Sequence, residues 1–227
     1  NTLENFRHAA GCGVFSIETD VRTTKDKVAV LFHDETLRRL ASLDKKISDC
    51  QFDEISNVEL IGGGNIVSLQ SALLEFPDMR FNLDIKDSAS ITSVAKVVES
   101  TKSHSRILVS SFSEGRRTRT LSLLSSPPAT SSSAYIVLKV WLMHVLRLPL
   151  VLLERELAGI GAIQIPRKMF GMRFDSERFI RKIRATKTHV HFWTINNPQE
   201  MIELVGRGAS GIVSDVSELA VQTLRKA

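Results

Sequence analysis

Phe15-Ser16-Ile17-Glu18-Thr19-Asp20-Val21 is followed, after a short polar turn, by Val28-Ala29-Val30-Leu31-Phe32-His33-Asp34. Side chains alternate across a strand with a period of two, so Glu18 and Asp20 project from the same face. Two carboxylates so close repel each other and favour a shared cation or proton. The second run reads as a hairpin arm that extends the first strand outward. It ends in His33-Asp34, an imidazole able to exchange protons near neutral pH. Further on, Arg80 to Ile85 reads as another strand, and Asn82-Leu83-Asp84-Ile85-Lys86 repeats the spacing, with Asp84 and Lys86 on one face. A third carboxylate completes an oxygen-rich set suited to Mg or Ca, and the adjacent ammonium suits an anionic substrate, most simply a phosphate ester. A hydrolytic site built on hard metal and imidazole is the expectation.

Strand and helix patterns alternate outward from these runs. Strands are expected near Val14 to Val21, Arg80 to Ile85, Arg106 to Ser110, Ala129 to Ser132, Ala162 to Ile165, His189 to Ile195 and Gly211 to Val213. Helix starts are expected at Ser68, Ser90 and Asp175 and at Pro198, from capping side chains and from proline at a first helical position. This βα repetition predicts an α/β fold with a parallel barrel, and 227 residues fit one domain spanning 1–227. A closed barrel of this type needs eight strands, and the reading supplies seven.

The formal net charge of +5 favours anionic partners, but the basic groups are spread. Arg116, Arg117 and Arg119, and Arg178, Arg181, Lys182 and Arg184, read as solvated helix faces. With one Tyr and two Trp and no recognition motif, nucleic acid is not an expected partner. A peripheral membrane contact stays open. Tyr135 to Leu153 is the most apolar stretch, yet Lys139, His144, Arg147 and Pro149 interrupt it. It falls short of a spanning helix and reads as a core or rim helix followed by a loop. Cys12 and Cys50 have no metal-like spacing and read as small buried thiols. Gly62-Gly63-Gly64 lacks the Lys-Ser/Thr of a phosphate loop and reads as a flexible connection.

Taken with Asn1-Thr2, read as the tail of a Pro-Glu-Asn-Thr motif, these runs resemble the glycerophosphodiester phosphodiesterase family. The matching motifs are Glu18-x-Asp20-Val21, Thr24-Lys25-Asp26, His33-Asp34-Glu35-Thr36-Leu37-x-Arg39 and Asp84-Ile85-Lys86. Ser110-Ser111-Phe112, Trp193-Thr194-Ile195-Asn196 and Gly208-x-x-Gly211-Ile212-Val213-Ser214-Asp215 look like its later strands, in the right order. The stretch from Leu121 to Arg173 carries little of the signal.

The resemblance implies a (β/α)8 TIM-type barrel whose first strand, bearing His-Arg-Gly, is expected upstream of Asn1 and is missing from this chain. It implies metal-assisted hydrolysis of a glycerophosphodiester to glycerol 3-phosphate and an alcohol. Glu18, Asp20 and Asp84 would hold a divalent cation, Mg or Ca. His33 would be one of two acid/base histidines, the other lying in the missing strand. Lys86 and Trp193 would contact the small-molecule phosphodiester substrate. Asp84 stands where the family usually has Glu, one methylene shorter, which would pull the cation inward or leave a water between. Phe15, Lys27, Leu40-Ala41, Ser210, Val216 and Ser217 are further departures, none at a principal ligand. A phospholipase D-type lipid phosphodiesterase would use nearly the same residues. A non-catalytic metal- or ligand-binding barrel is the reading if the upstream His-Arg-Gly is absent. A cytoplasmic setting is expected, with secretion or membrane association left open by the missing start.

Overall fold

The computed structural model describes residues 1–225. The chain forms two compact units, one from Asn1 to Ala129 and one from Thr130 onward.

In the first unit, α1 (Leu3–Gly11) is opened by Thr2, whose side-chain oxygen accepts from the Asn5 N–H. The strand β1 (Ser16–Thr23) turns back antiparallel into β2 (Ala29–Leu31), the expected hairpin arm, with Val21 opposite Leu31. Short helices α2 (Arg38–Ala41) and α3 (Phe52–Ser56) follow, then α4 (Leu69–Glu75), capped by Ser68 as its sequence predicts. β3 (Arg80–Ile85) lies parallel to β1, and α5 (Ser90–Thr101), β4 (Ile107–Ser110) and α6 (Glu114–Ser122) continue the alternation. The strand order is β2-β1-β3-β4, followed by the two-residue β5 (Ala129–Thr130), shorter than its sequence suggests.

Period-two alternation divides this sheet into a packed face and a chemical face. Ile17 and Val21 of β1 and Phe81, Leu83 and Ile85 of β3 pack with Leu69 and Leu73 of α4 and with Ile91, Val94 and Val98 of α5. Each such apolar side chain contributes roughly 1.5–3 kcal/mol when fully buried, and truncating Leu83 to Ala would cost about 2–5 kcal/mol by opening a cavity. The opposite face carries Glu18, Asp20, Arg22, Asn82, Asp84 and Lys86. The start of α5 differs from expectation. Ser90 is its first residue rather than its cap, and its N–H and hydroxyl both donate to Asp87 Oδ1 at 2.8 Å. The three-residue spacing from Asp87 to Ser90 is a capping geometry.

In the second unit, α7 (Ala134–Val145) and α8 (Leu150–Glu156) replace the expected helix and loop. Next come β6 (Ala162–Ile165), a small antiparallel hairpin of β7 (Lys168–Met169) and β8 (Met172–Arg173), and α9 (Glu177–Arg184). The cap of α9 is Ser176, whose Oγ accepts from the Phe179 N–H, while Asp175 is buried against the guanidinium groups of Arg167 and Arg173. β9 (His189–Phe192), α10 (Pro198–Gly206), β10 (Gly211–Ile212) and α11 (Ser217–Leu224) complete the unit, and its three-stranded parallel sheet runs β10-β9-β6. Its core joins Ile163, Ile165, Val190 and Phe192 to Phe179, Ile180 and Ile183 of α9 and to Met201 and Leu204 of α10. Gly211 is required by packing, since a Cβ there would lie 2.8 Å from the His191 ring. Among the described residues, no helix is long and apolar enough to cross a membrane.

Candidate active site

Strand register brings the acidic residues together. β1 and β3 run parallel with Glu18 opposite Asn82 and Asp20 opposite Asp84, so carboxylates 64 positions apart in sequence become nearest neighbours across the sheet. Lys86, just beyond the end of β3, donates from Nζ to Asp84 Oδ2 at 2.7 Å and lies 2.8 Å from Asp20 Oδ1. Burial works against its ammonium, but the charge of Asp84 and the bonds to both carboxylates outweigh it and raise the Lys86 pKa. Asn1 holds the other side of Asp20, its Nδ2 donating to Oδ2 at 3.1 Å while its Oδ1 accepts from Thr19 Oγ1 at 2.6 Å. Asp84 Oδ1 is buried and accepts no hydrogen bond.

Glu18 lies one pleat before Asp20 and keeps part of its side chain open to solvent. Protein atoms crowd the carboxylate nevertheless. That desolvation, joined by the charges of Asp20 and then Asp84, pushes its pKa up to about 8, with Lys86 opposing. The Lys86 charge does not offset that desolvation and repulsion, and a cation would add to it.

A histidine–carboxylate pair is built at the end of the hairpin. His33 lies two residues past the end of β2, and its Nδ1 lies 2.7 Å from Asp34 Oδ1. Arg39 grips the same carboxylate with Nε at 2.6 Å from Oδ2 and a terminal nitrogen at 3.1 Å from Oδ1. This fork, with a smaller contribution from His33, holds the Asp34 pKa at about 2. An ionised Asp34 can only accept, so a neutral ring carries its proton on Nδ1 and its lone pair on Nε2. Arg22, on the same face of β1 as Glu18 and Asp20, donates from Nε to the His33 carbonyl at 2.9 Å and fixes the backbone beneath the ring.

Asn1, Arg22 and Arg39 were not singled out as site residues by the sequence reading. Arg22 carried a signal, the continuation of the Glu18-Asp20 spacing by two. A fourth addition is Phe112, half exposed after β4, with Lys86 Nζ 5.8 Å from its ring centroid. It offers an apolar wall beside the ammonium.

Trp193 belongs to the second unit and follows the C-terminal end of β9, its N–H donating to the Ile165 carbonyl at 3.1 Å. Two residues earlier, burial drives the His191 pKa down to about 4, and His189 and Arg184 add to the shift. That ring is neutral at physiological pH. Its Nδ1 lies 3.3 Å from Gln164 Nε2 of the neighbouring strand.

The donor set fits a hard divalent cation: three carboxylates, a buried Asp84 oxygen that accepts no hydrogen bond, and a Glu18 carboxyl whose pKa is raised by desolvation and by its acidic neighbours. The oxygens of Glu18, Asp20 and Asp84 do not all lie within 4.8 Å of one another. The Lys86 ammonium bridges two of the three.

Solved structures share this architecture. A glycerophosphodiester phosphodiesterase from Thermotoga maritima superposes with a TM-score of 0.75 at 23% identity, over 98% of this chain and 91% of that one. A phosphodiesterase from Oleispira antarctica, solved in complex with the product sn-glycerol-3-phosphate, gives a TM-score of 0.76 at 20% identity, over 100% and 91%. The fold is therefore α/β, of the (β/α)8 TIM-type barrel class.

Residues 1–219 match the model of the glycerophosphoryl diester phosphodiesterase family, and the chain belongs to that family of phosphoric diester hydrolases. The Probable glycerophosphodiester phosphodiesterase 2 of Mycobacterium tuberculosis is 33% identical over 219 residues, 96% of this chain and 83% of that protein. The human lysophospholipase D GDPD1 is 24% identical, over 95% and 78%.

Proposed function

We propose that this chain hydrolyses glycerophosphodiesters to glycerol 3-phosphate and an alcohol with the help of a divalent cation, Mg or Ca, held by Glu18, Asp20 and Asp84. The observation that carries this reading is the register of β1 against β3, which sets Asp20 beside Asp84 with Lys86 at both. A bound cation would neutralise the non-bridging phosphate oxygens and lower the pKa of the attacking hydroxyl.

The chain's own groups supply the rest. Lys86 places a positive charge where the phosphate oxygens gain negative charge in the transition state. His33 works at Nε2 as one of two acid/base groups, taking the proton of the attacking hydroxyl or giving one to the departing oxygen, with the second histidine that the family resemblance implies in the other role. Asp34, clamped by Arg39, keeps the ring in the tautomer this needs and stabilises the imidazolium when it forms. Phe112 would exclude water beside Lys86. Trp193 is proposed as a substrate-contacting aromatic on the family resemblance and on its place at the C-terminal end of its strand.

A second reading, phospholipase D-type cleavage of a lysophospholipid, is favoured by the similarity to the human lysophospholipase D. The two differ in product. Purified protein is incubated separately with glycerophosphocholine and with lysophosphatidylcholine in the presence of Mg or Ca. The first reading expects glycerol 3-phosphate from the former as the faster reaction. Faster release of lysophosphatidic acid from the latter would favour the second, and turnover of neither would overturn both.

A further inference from the structure

The outward side of α7 is apolar and, among the described residues, uncovered. Ile136, Val137 and Val140 turn inward to the core of the second unit. Tyr135, Leu138, Leu142 and Val145 recur at helical spacing on the other side and are exposed, and Leu146, just past the helix, is 68% exposed. A helix apolar on both sides needs a second apolar environment. The β7–β8 hairpin adds to it. Trp141 Nε1 of α7 donates to the Arg173 carbonyl at 3.3 Å, and the hairpin's tip residue, Phe170, is 92% exposed with φ +48°.

Charge says what the environment is. Residues 134–184 contain ten Lys and Arg against four Asp and Glu, a surplus of six where the whole chain's surplus is five. Exposed Arg147 follows the α7 stripe, and exposed Lys168 and Arg173 flank Phe170. Two copies meeting through this face would set like charges together, whereas an anionic surface would be drawn to it.

We propose that the outward face of α7, with Leu146 and the Phe170 tip, docks on the interface of an anionic lipid bilayer. Apolar side chains enter the boundary between head groups and acyl chains while Arg147, Lys168 and Arg173 meet lipid phosphates, the arrangement of an interfacial rather than a spanning helix. This does not depend on the hydrolytic reading, because binding is measured without substrate.

The test is flotation of the full chain with vesicles of phosphatidylcholine alone and of phosphatidylcholine mixed with phosphatidylglycerol. Binding is expected to the mixed vesicles only and to weaken with salt. The triple variant Leu138→Ser, Leu142→Ser, Leu146→Ser, altered only at exposed positions, should bind at least tenfold more weakly while hydrolysing a soluble glycerophosphodiester as the parent does. Arg147→Glu with Lys168→Glu should also lose at least tenfold and flatten the salt dependence. Parent protein that fails to float with anionic vesicles, a triple variant that floats as the parent does, or a parent dimer that the triple variant converts to monomer in light scattering would each overturn the proposal.

Discussion

Lys86 Nζ lies 2.7 Å from Asp84 Oδ2, two residues back along the chain, and the same nitrogen reaches Asp20 on the neighbouring strand at 2.8 Å. The ammonium thus stands where a divalent cation would draw on both carboxylates. In the proposed site it would stand in for part of the ion's charge, and binding of the ion would release it toward substrate.

Lys86→Met therefore separates two effects. Removing a positive charge in contact with two proposed ligands should tighten Mg or Ca binding by about tenfold, while loss of the charge opposite phosphate should lower kcat/KM by about a hundredfold. Calorimetric titration of the metal-stripped variant checks the first part. Unchanged cation affinity would mean that Lys86 and the ion do not compete.

Glu18 makes the metal-free protein sensitive to pH in a definite direction. Its folded pKa of about 8 stands above the ordinary 4.5, so between these values the native state binds the extra proton and stability falls as pH rises. Glu18→Gln should match the parent near pH 4.5 and become the more stable protein as pH approaches about 8, in chelator. Saturating cation should reverse the order. Urea unfolding at both ends of the range measures this, and parallel curves for the two proteins would contradict it.

His33 and Asp34 should act on rate rather than on ion binding. His33→Gln is expected to lower kcat by about a hundredfold or more, as loss of an acid/base group does. Asp34→Asn, which can no longer hold the Nδ1 proton as an anion, should lower it by about tenfold or more. Cation affinity should stay within about twofold of the parent in both. A collapse of affinity in His33→Gln would make the imidazole a ligand.

Asp84 is one methylene shorter than the Glu usual at its position in the family, and two substitutions separate its roles. Asp84→Asn should weaken the cation by about tenfold or more by removing a charge, while Asp84→Glu should keep it and change turnover only modestly. If Asp84 serves only to hold Lys86, both variants would retain cation affinity and raise KM.

Much of the chemical face was legible because a period of two fixes which side chains share a face. Glu18 with Asp20 and Asp84 with Lys86 needed no more than that. The pairing of Asp20 with Asp84 was not legible, since it depends on the relative register of two strands joined through a hairpin and three helices. Arg39 reaches Asp34 only because the short helix α2 turns it back, a local geometry no motif spacing announces. At α8 the signal was present: Pro149 sits at the helix start, where its missing N–H costs nothing, but Arg147-Leu148-Pro149 reads equally well as a stop. The start of α5 was misread by one residue because Asp87, not Ser90, supplies the accepting oxygen.

The most direct test of a cation-dependent site at Glu18, Asp20 and Asp84 is release of glycerol 3-phosphate from a glycerophosphodiester by exhaustively metal-stripped protein. It is followed before and after Mg or Ca is added back, with the ion titrated calorimetrically into the same sample. Turnover is expected to vanish on stripping and to return in step with occupancy of one cation site. Full turnover in excess chelator would contradict the account.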